Sequence, residues 1–240
     1  MSVLYKYSNQ LGAVKILGSL ELKLPCISEL NDPLECTPNY KCEGDDKKEL
    51  REKHIRESEN KKKELCLLSV SFTATESVMW AHYADIHKGI VIGIDFEEIL
   101  YNIDFPTPLE VNYSNKRGEI DITPGKVNLE KLYFGWKKVL KTKSKSWGYE
   151  QEWRILFLES QLQQLQGKGI TCLRKLNGRN SWFLCLKPSS IKKVVFGLFT
   201  EEGLKLTIRK LMDRPELKHV RFYQAEKSSK TFNLKLLIPV

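Results

Sequence analysis

No apolar run in this 240-residue sequence approaches the length of about 18 that a membrane-crossing helix needs. It has no G-x-G-x-x-G after a strand-like stretch and no G-x-x-x-x-G-K-[ST], which argues against classical dinucleotide-binding and P-loop folds. Its six cysteines, at 26, 36, 42, 66, 172 and 185, include no C-x-x-C, and no histidine stands at zinc-finger spacing, so no structural metal site is expected. His82 and His87 are five apart rather than the four of a helical zinc motif, and no nucleophile elbow accompanies them, which excludes a Ser-His-Asp hydrolase. The opening MSVLYKYSNQ has neither the charged region nor the apolar stretch of a signal peptide, so a cytoplasmic location with reduced thiols is expected.

What is present describes a chain that folds. Hydrophobic residues make up 41% and aromatics 10%, the composition of an ordinary globular core. The 39 Lys plus Arg against 30 Asp plus Glu give a formal charge of +9, a bias toward anionic partners. Nucleic acid, a phosphorylated cofactor and an acidic protein would all benefit from it. Residues 43–64 are almost wholly charged with both signs interleaved, the pattern of a solvated helix or mobile insertion.

Short strand patterns dominate. VLYKYS alternates as a first strand, Asn9 or Ser8 caps a short helix ended by Gly18, and SLELKL alternates again. LCLLSVSFT reads as a strand buried on both faces, and Thr73 with Glu76 has capping-box spacing for a helix over TESVMWAHYAD. IVIGID, LEVNYS, TCLRKL, SWFLCL, IKKVVFGLF, HVRFYQA and FNLKLLI add strands, with a helix near EEGLKLTIRKLM. Helices fall early and between strands without regular alternation, which predicts an α+β fold with peripheral helices in a single domain over 1–240, carrying the charged insertion at 43–64.

WGYEQEWRILF, at 147–157, is the first candidate for chemistry. As a strand it sets Glu150, Glu152 and Arg154 on one face, and two carboxylates among aromatics can divide general acid, base and electrostatic roles. Arg154 can equally pair with a glutamate and make the segment an ion-paired structural strand. Ser71 and Thr73 form a second candidate, hydroxyls at the end of a buried strand that otherwise only terminate it and cap the next helix. Lys6, between Tyr5 and Tyr7, is a third, able to hold a phosphate or carbonyl or to be a surface lysine. The E-x-R at 152–154 also imitates the E-x-K of metal-dependent nucleases, with Asp95 as a conceivable metal ligand. Lys137, Lys138, Lys141, Lys143 and Lys145 form a basic cluster just before the glutamates, read either as a solvated face or as phosphate contacts for nucleic acid.

Taken in order, LYKYS, SLELKLPCISELNDPLE, SFTATESVMWAHYADIHKGIVIGIDF, WGYEQEWRI and IKKVVFG resemble the blocks of a bacterial family known as domain of unknown function 2971, over residues 4–197. More distantly, an aromatic first strand, then S-F-T, then E-x-E is similar to the ADP-ribosyltransferase pattern. That resemblance implies a split β-sheet core and NAD as cofactor. Lys6 stands where the pattern has Arg or His, and Tyr7, Ser71 and Thr73 shape the NAD site. Trp80 or Tyr83 stacks on nicotinamide, Glu152 is the transferase glutamate and Glu150 orients the acceptor. It implies a toxin or antiphage defence effector, with an RNA or DNA acceptor and a neutralising antitoxin protein as partners. The alternative is a non-enzymatic nucleic-acid-binding or partner-binding module.

Overall fold

In a computed structural model, residues 3–42, 47–62, 65–101, 108–122 and 129–237 are described. They form a mixed α+β structure around an eight-stranded sheet. Its strands are β1 (Leu4–Ser8), β4 (Leu65–Ser71), β5 (Ile90–Ile94), β6 (Leu109–Glu110), β10 (Glu152–Leu158), β13 (Ile191–Phe196), β14 (Arg221–Lys227) and β15 (Leu234–Leu237), ordered β15-β14-β13-β5-β1-β4-β10-β6. Only β13 and β14 run parallel; the other neighbours are antiparallel. β2 (Glu21–Leu24), β11 (Thr171–Leu176) and β12 (Arg179–Cys185) build a separate three-stranded sheet. β3 (Asn39–Cys42) pairs with β8 (Glu119–Ile122), and β7 (Asn112–Ser114) with β9 (Thr142–Ser144).

The main core lies on the face of the large sheet covered by α1 (Gln10–Ser19), α7 (Glu202–Met212), α6 (Glu159–Gly167) and the small sheet. β5, IVIGI, is buried along its whole length, which is why it reads as a continuous apolar run instead of alternating. A second cluster on the other face packs Tyr7, Val91 and Val195 under Met79 and Trp80 of α3 (Ser77–Tyr83). A third gathers Ile27, Cys36, Leu67, Leu140 and Leu156.

Several local expectations are corrected. Asn9 caps α1 by accepting from Gly12 N, but the helix runs past Gly18 and stops where Leu20 turns left-handed. Glu76, not Thr73, caps α3. That helix ends at Tyr83 because Asp85, Ile86 and His87 all adopt positive φ, a left-handed turn that no helix continues through. Within the charged segment, 47–62 form a helix, α2, whose described side chains are exposed apart from Leu50; residues 43–46 and 63–64 lie outside the described residues.

The feature that positions the site is a break in the large sheet. β1 pairs with β5 at five positions but with β4 at one, Tyr5 opposite Ser71. Continuing that register would set Tyr7 against Ser69. Instead the strands part, and the Lys6 ammonium donates to the Ser69 carbonyl at 3.0 Å, satisfying a backbone acceptor that β1 no longer reaches.

Candidate functional site

The opening between β1 and β4 is a cleft of about 100 Å³. Tyr5, Lys6 and Tyr7 contribute from β1, Ser69 and Ser71 from β4, Met79 and Tyr83 from α3, and Glu35, Lys143, Glu150 and Glu152 from the segments that close its floor. Lys6, Tyr7, Ser71, Tyr83, Glu150 and Glu152 therefore meet at one place.

The two glutamates do not arrive as neighbours on one strand. Residues 145–150 form a 3-10 turn, Gln151 takes φ 43° and ψ 51°, and β10 starts only at Glu152. A non-glycine residue in the left-handed region is uncommon, and here it reverses the chain between the two acids. Both carboxylates nevertheless converge, because Lys143 bridges them: its ammonium lies 2.5 Å from Glu150 Oε2 and 3.0 Å from Glu152 Oε2.

Glu152 is 3% exposed and held from every side. Oε1 accepts from Ser69 Oγ at 2.6 Å and from Arg154 Nε at 2.9 Å; Oε2 accepts from Lys143 and, at 3.0 Å, from Arg154 Nη2. Those contacts use the roughly four acceptor positions a carboxylate offers. Arg154, fully buried, also donates to Leu140 O at 2.7 Å and pairs with Glu35. So Glu152 both faces the cleft and is neutralised by Arg154. Glu150 is different: Tyr83 OH donates to Oε1 at 2.6 Å and Lys143 to Oε2, which leaves acceptor capacity toward the cleft.

The environment shifts the ionisable groups. Burial pushes the Glu152 carboxyl above the usual range, against the pull of Lys143 and Ser69. Burial pulls the Lys143 ammonium down, but Glu152 and Glu150 outweigh it and hold it above the ordinary lysine range. Burial holds Lys6 below that range despite the two glutamates. It also lowers Arg154, to about 10, which leaves the guanidinium charged at neutral pH. Because the folded pKa of Lys143 is the higher one, its stabilising contribution is complete below the unfolded lysine value of about 10.4 and fades as pH rises toward the folded value. Thermal denaturation between about pH 10 and 12 should therefore show a steeper alkaline loss of Tm for wild type than for Lys143→Met; equal slopes there would remove Lys143 from the linkage.

Some sequence candidates stand elsewhere. Trp80 is fully buried, its indole N–H donating to Ala74 O at 2.8 Å and its ring 5.5 Å from that of Tyr7, so it is a core residue behind the cleft instead of a stacking surface within it. Thr73 does not line the cleft; its carbonyl accepts from Tyr7 OH at 3.0 Å and its hydroxyl lies 3.1 Å from that of Thr75. Lys143, read from sequence as a phosphate contact, is 6% exposed because three carboxylates draw it inward. Lys137, Lys138 and Lys145 are exposed and Lys141 is partly so. Asp95 caps the helix Phe96–Leu100 and is not among the cleft residues.

Glu35 and Ser69 escaped the sequence reading. Ser69 was within reach, since it is two residues from Ser71 and shares its face. Glu35 was not, because only the tertiary fold brings the turn after Pro33 against Arg154. A second cavity of about 430 Å³ shares Asn31, Glu35 and Lys143 with the cleft and is lined further by Lys116, Arg117, Ser144, Ser146 and Trp147.

Among the described residues, no helix is long and apolar enough to cross a membrane. No curated protein and no solved structure matches the chain. Residues 79–155, the stretch that carries Tyr83, Lys143, both cleft glutamates and Arg154, match the family described as protein of unknown function (DUF2971).

Proposed function

We propose that the cleft is the active site of an ADP-ribosyltransferase-like enzyme that uses NAD. The observation that carries this reading is the convergence of Lys6, Ser71, Glu150 and Glu152, from three separate parts of the chain, on one opening in the sheet. The chemistry fits a flat cationic ring. Tyr5, Tyr7 and Tyr83 offer aromatic surface that suits the pyridinium of nicotinamide. At about 100 Å³ the cleft is smaller than the roughly 300–1,000 Å³ of sites that enclose a drug-sized ligand, so it takes a ring-sized group. The adjoining cavity, with Lys116 and Arg117, supplies room and positive charge for the phosphates.

Breaking the bond between nicotinamide and ribose develops positive charge on the sugar. Carboxylates fixed beside it stabilise the transition state more than the ground state. Glu150 has the open acceptor positions and is assigned the contact to the ribose; Glu152, saturated by its donors, holds Lys143 and Arg154 in place. This refines the division that the sequence pattern implies, in which Glu152 makes the sugar contact. Lys137, Lys138, Lys141 and Lys145, exposed or partly exposed on the segment around Lys143, would serve an RNA or DNA acceptor through phosphate contacts.

The test is incubation of the full chain with NAD. Nicotinamide release, with or without label on added RNA or DNA, is the expected result. A second reading rests on the saturation of Glu152 by Arg154, Lys143 and Ser69, which also suits a structural ion network in a nucleic-acid-binding or partner-binding module. NAD neither bound nor cleaved, together with salt-sensitive nucleic-acid binding, would establish that reading instead.

A further inference from the structure

The small three-stranded sheet carries a cluster of soft and hard ligands that neither the cleft nor its chemistry uses. In the ladder Cys185 stands opposite Glu21, and Phe183 opposite Cys172. Phe183 and Cys185 are two apart on one strand and point to the same face, so Glu21, Cys172 and Cys185 share it, one from each strand. Trp182 and Leu184 point the other way, into the main core. The side-chain ligand atoms of Glu21, Cys172 and Cys185 all lie within 4.8 Å of one another, and Cys172 Sγ is 3.3 Å from Glu21 Oε1.

We propose that Glu21, Cys172 and Cys185 form a binding site for a thiophilic divalent cation of the zinc class, with the fourth position left to water. Tetrahedral zinc, with bonds of about 2.3 Å to sulfur and 2.0–2.2 Å to oxygen, sets its ligand atoms roughly 3.5–3.8 Å apart. The cluster needs only small side-chain adjustments to reach that. Two thiols and a carboxylate select zinc over magnesium or calcium, which prefer all-oxygen shells. Binding releases one proton from each thiol and forms two metal–sulfur bonds and one metal–oxygen bond, with no change of oxidation state. Arg174 Nη2 already donates to Glu21 Oε1 at 2.5 Å, and its charge brings two thiolates, a carboxylate and a divalent ion to neutrality. All three ligands are partly exposed, so an ion can reach them from solvent. The ion would clasp β2, β12 and β11 at a point where two ladders already hold the side chains in register, so little order remains to be imposed.

Cobalt(II) and zinc(II) titrations of the reduced, metal-free full chain test this. Expected are one ion per chain, a thiolate-to-cobalt charge-transfer absorption, tetrahedral d–d bands, and displacement of cobalt by zinc. Cys172→Ser combined with Cys185→Ser should abolish the charge-transfer absorption, and Glu21→Gln should weaken binding by about tenfold or more. Cys26→Ser with Cys66→Ser, the other close thiol pair at 3.8 Å, should leave it unchanged. Should the serine variants fail to fold, zinc-dependent protection of Cys172 and Cys185 from alkylation in the wild-type chain, mapped by mass spectrometry, serves instead. Charge transfer that survives in the Cys172/Cys185 double variant, uptake without a thiolate signature, no uptake, or equal alkylation with and without zinc would each overturn the proposal.

Discussion

Replacing Glu150 by Gln is expected to lower the rate of nicotinamide release by about 10²–10³-fold, the size of effect that follows loss of one preorganised electrostatic group in an active site. The substitution keeps the shape and keeps an oxygen that can accept from Tyr83 or Lys143. It removes the charge. The Glu150 carboxylate accepts from Tyr83 and Lys143, and Lys143 keeps Glu152 and Glu35 as counter-charges, so the fold should survive with a smaller fall in Tm than for Glu152→Gln. Glu152→Gln should also depress the rate, but with a clear loss of stability, because Arg154 and Lys143 are left short of a counter-charge in a buried position. The contrast between the variants is the informative part. Equal activity of Glu150→Gln and wild type would end the assignment of Glu150 to the ribose, and no activity in the wild type would end the enzyme reading altogether.

Arg154→Met should destabilise the protein by about 3–5 kcal/mol, the cost of removing one partner from a buried ion pair. For a chain of this size that corresponds to a fall in Tm of about 6–20 °C. The reason is the number of groups that depend on one guanidinium. It pairs with Glu152 through two nitrogens, with Glu35, and with the Leu140 carbonyl, and it is fully buried. Methionine fills most of the volume but takes the guanidinium from Glu152, Glu35 and the Leu140 carbonyl, leaving Lys143 as the remaining cation beside both carboxylates. Combining Arg154→Met with Glu152→Gln should restore part of the loss, since it removes an orphaned charge; a double-mutant cycle in thermal denaturation measures this coupling. Strict additivity of the two single effects would mean that the pair is not energetically joined.

The ion network also explains how far the glutamates could be read from sequence. A strand over the whole E-x-E segment predicts two acids on one face, yet Glu150 reaches the site from a 3-10 turn through the left-handed Gln151. Both acids reach the cleft, but from a local geometry other than the continuous strand. Lys143 shows the opposite limit. In a run of five lysines nothing local distinguishes it from Lys141 or Lys145, and it is selected for burial only because β9 carries it between Glu35, Glu150 and Glu152. Trp80 looked like a ring for stacking on a ligand, but helical periodicity tells which residues share a face and not whether that face meets a cleft or a core.

By itself the sequence determined the α+β class, most strands of the large sheet and the apolar faces that build the main core, because periodicity and turn chemistry are local and additive along the chain. It also carried Ser71 and the E-x-E segment, whose glutamates line the same cleft. Tertiary structure alone decided that β1 and β4 part after one pair, that Glu35 and Ser69 join the site, that Arg154 saturates Glu152 while Glu150 keeps open acceptor positions, and that Glu21 meets Cys172 and Cys185 on the small sheet. Most of these depend on contacts between residues tens to more than a hundred positions apart, and even the short-range Arg154–Glu152 pair draws its energy from desolvation and charge pairing that no stretch of sequence contains.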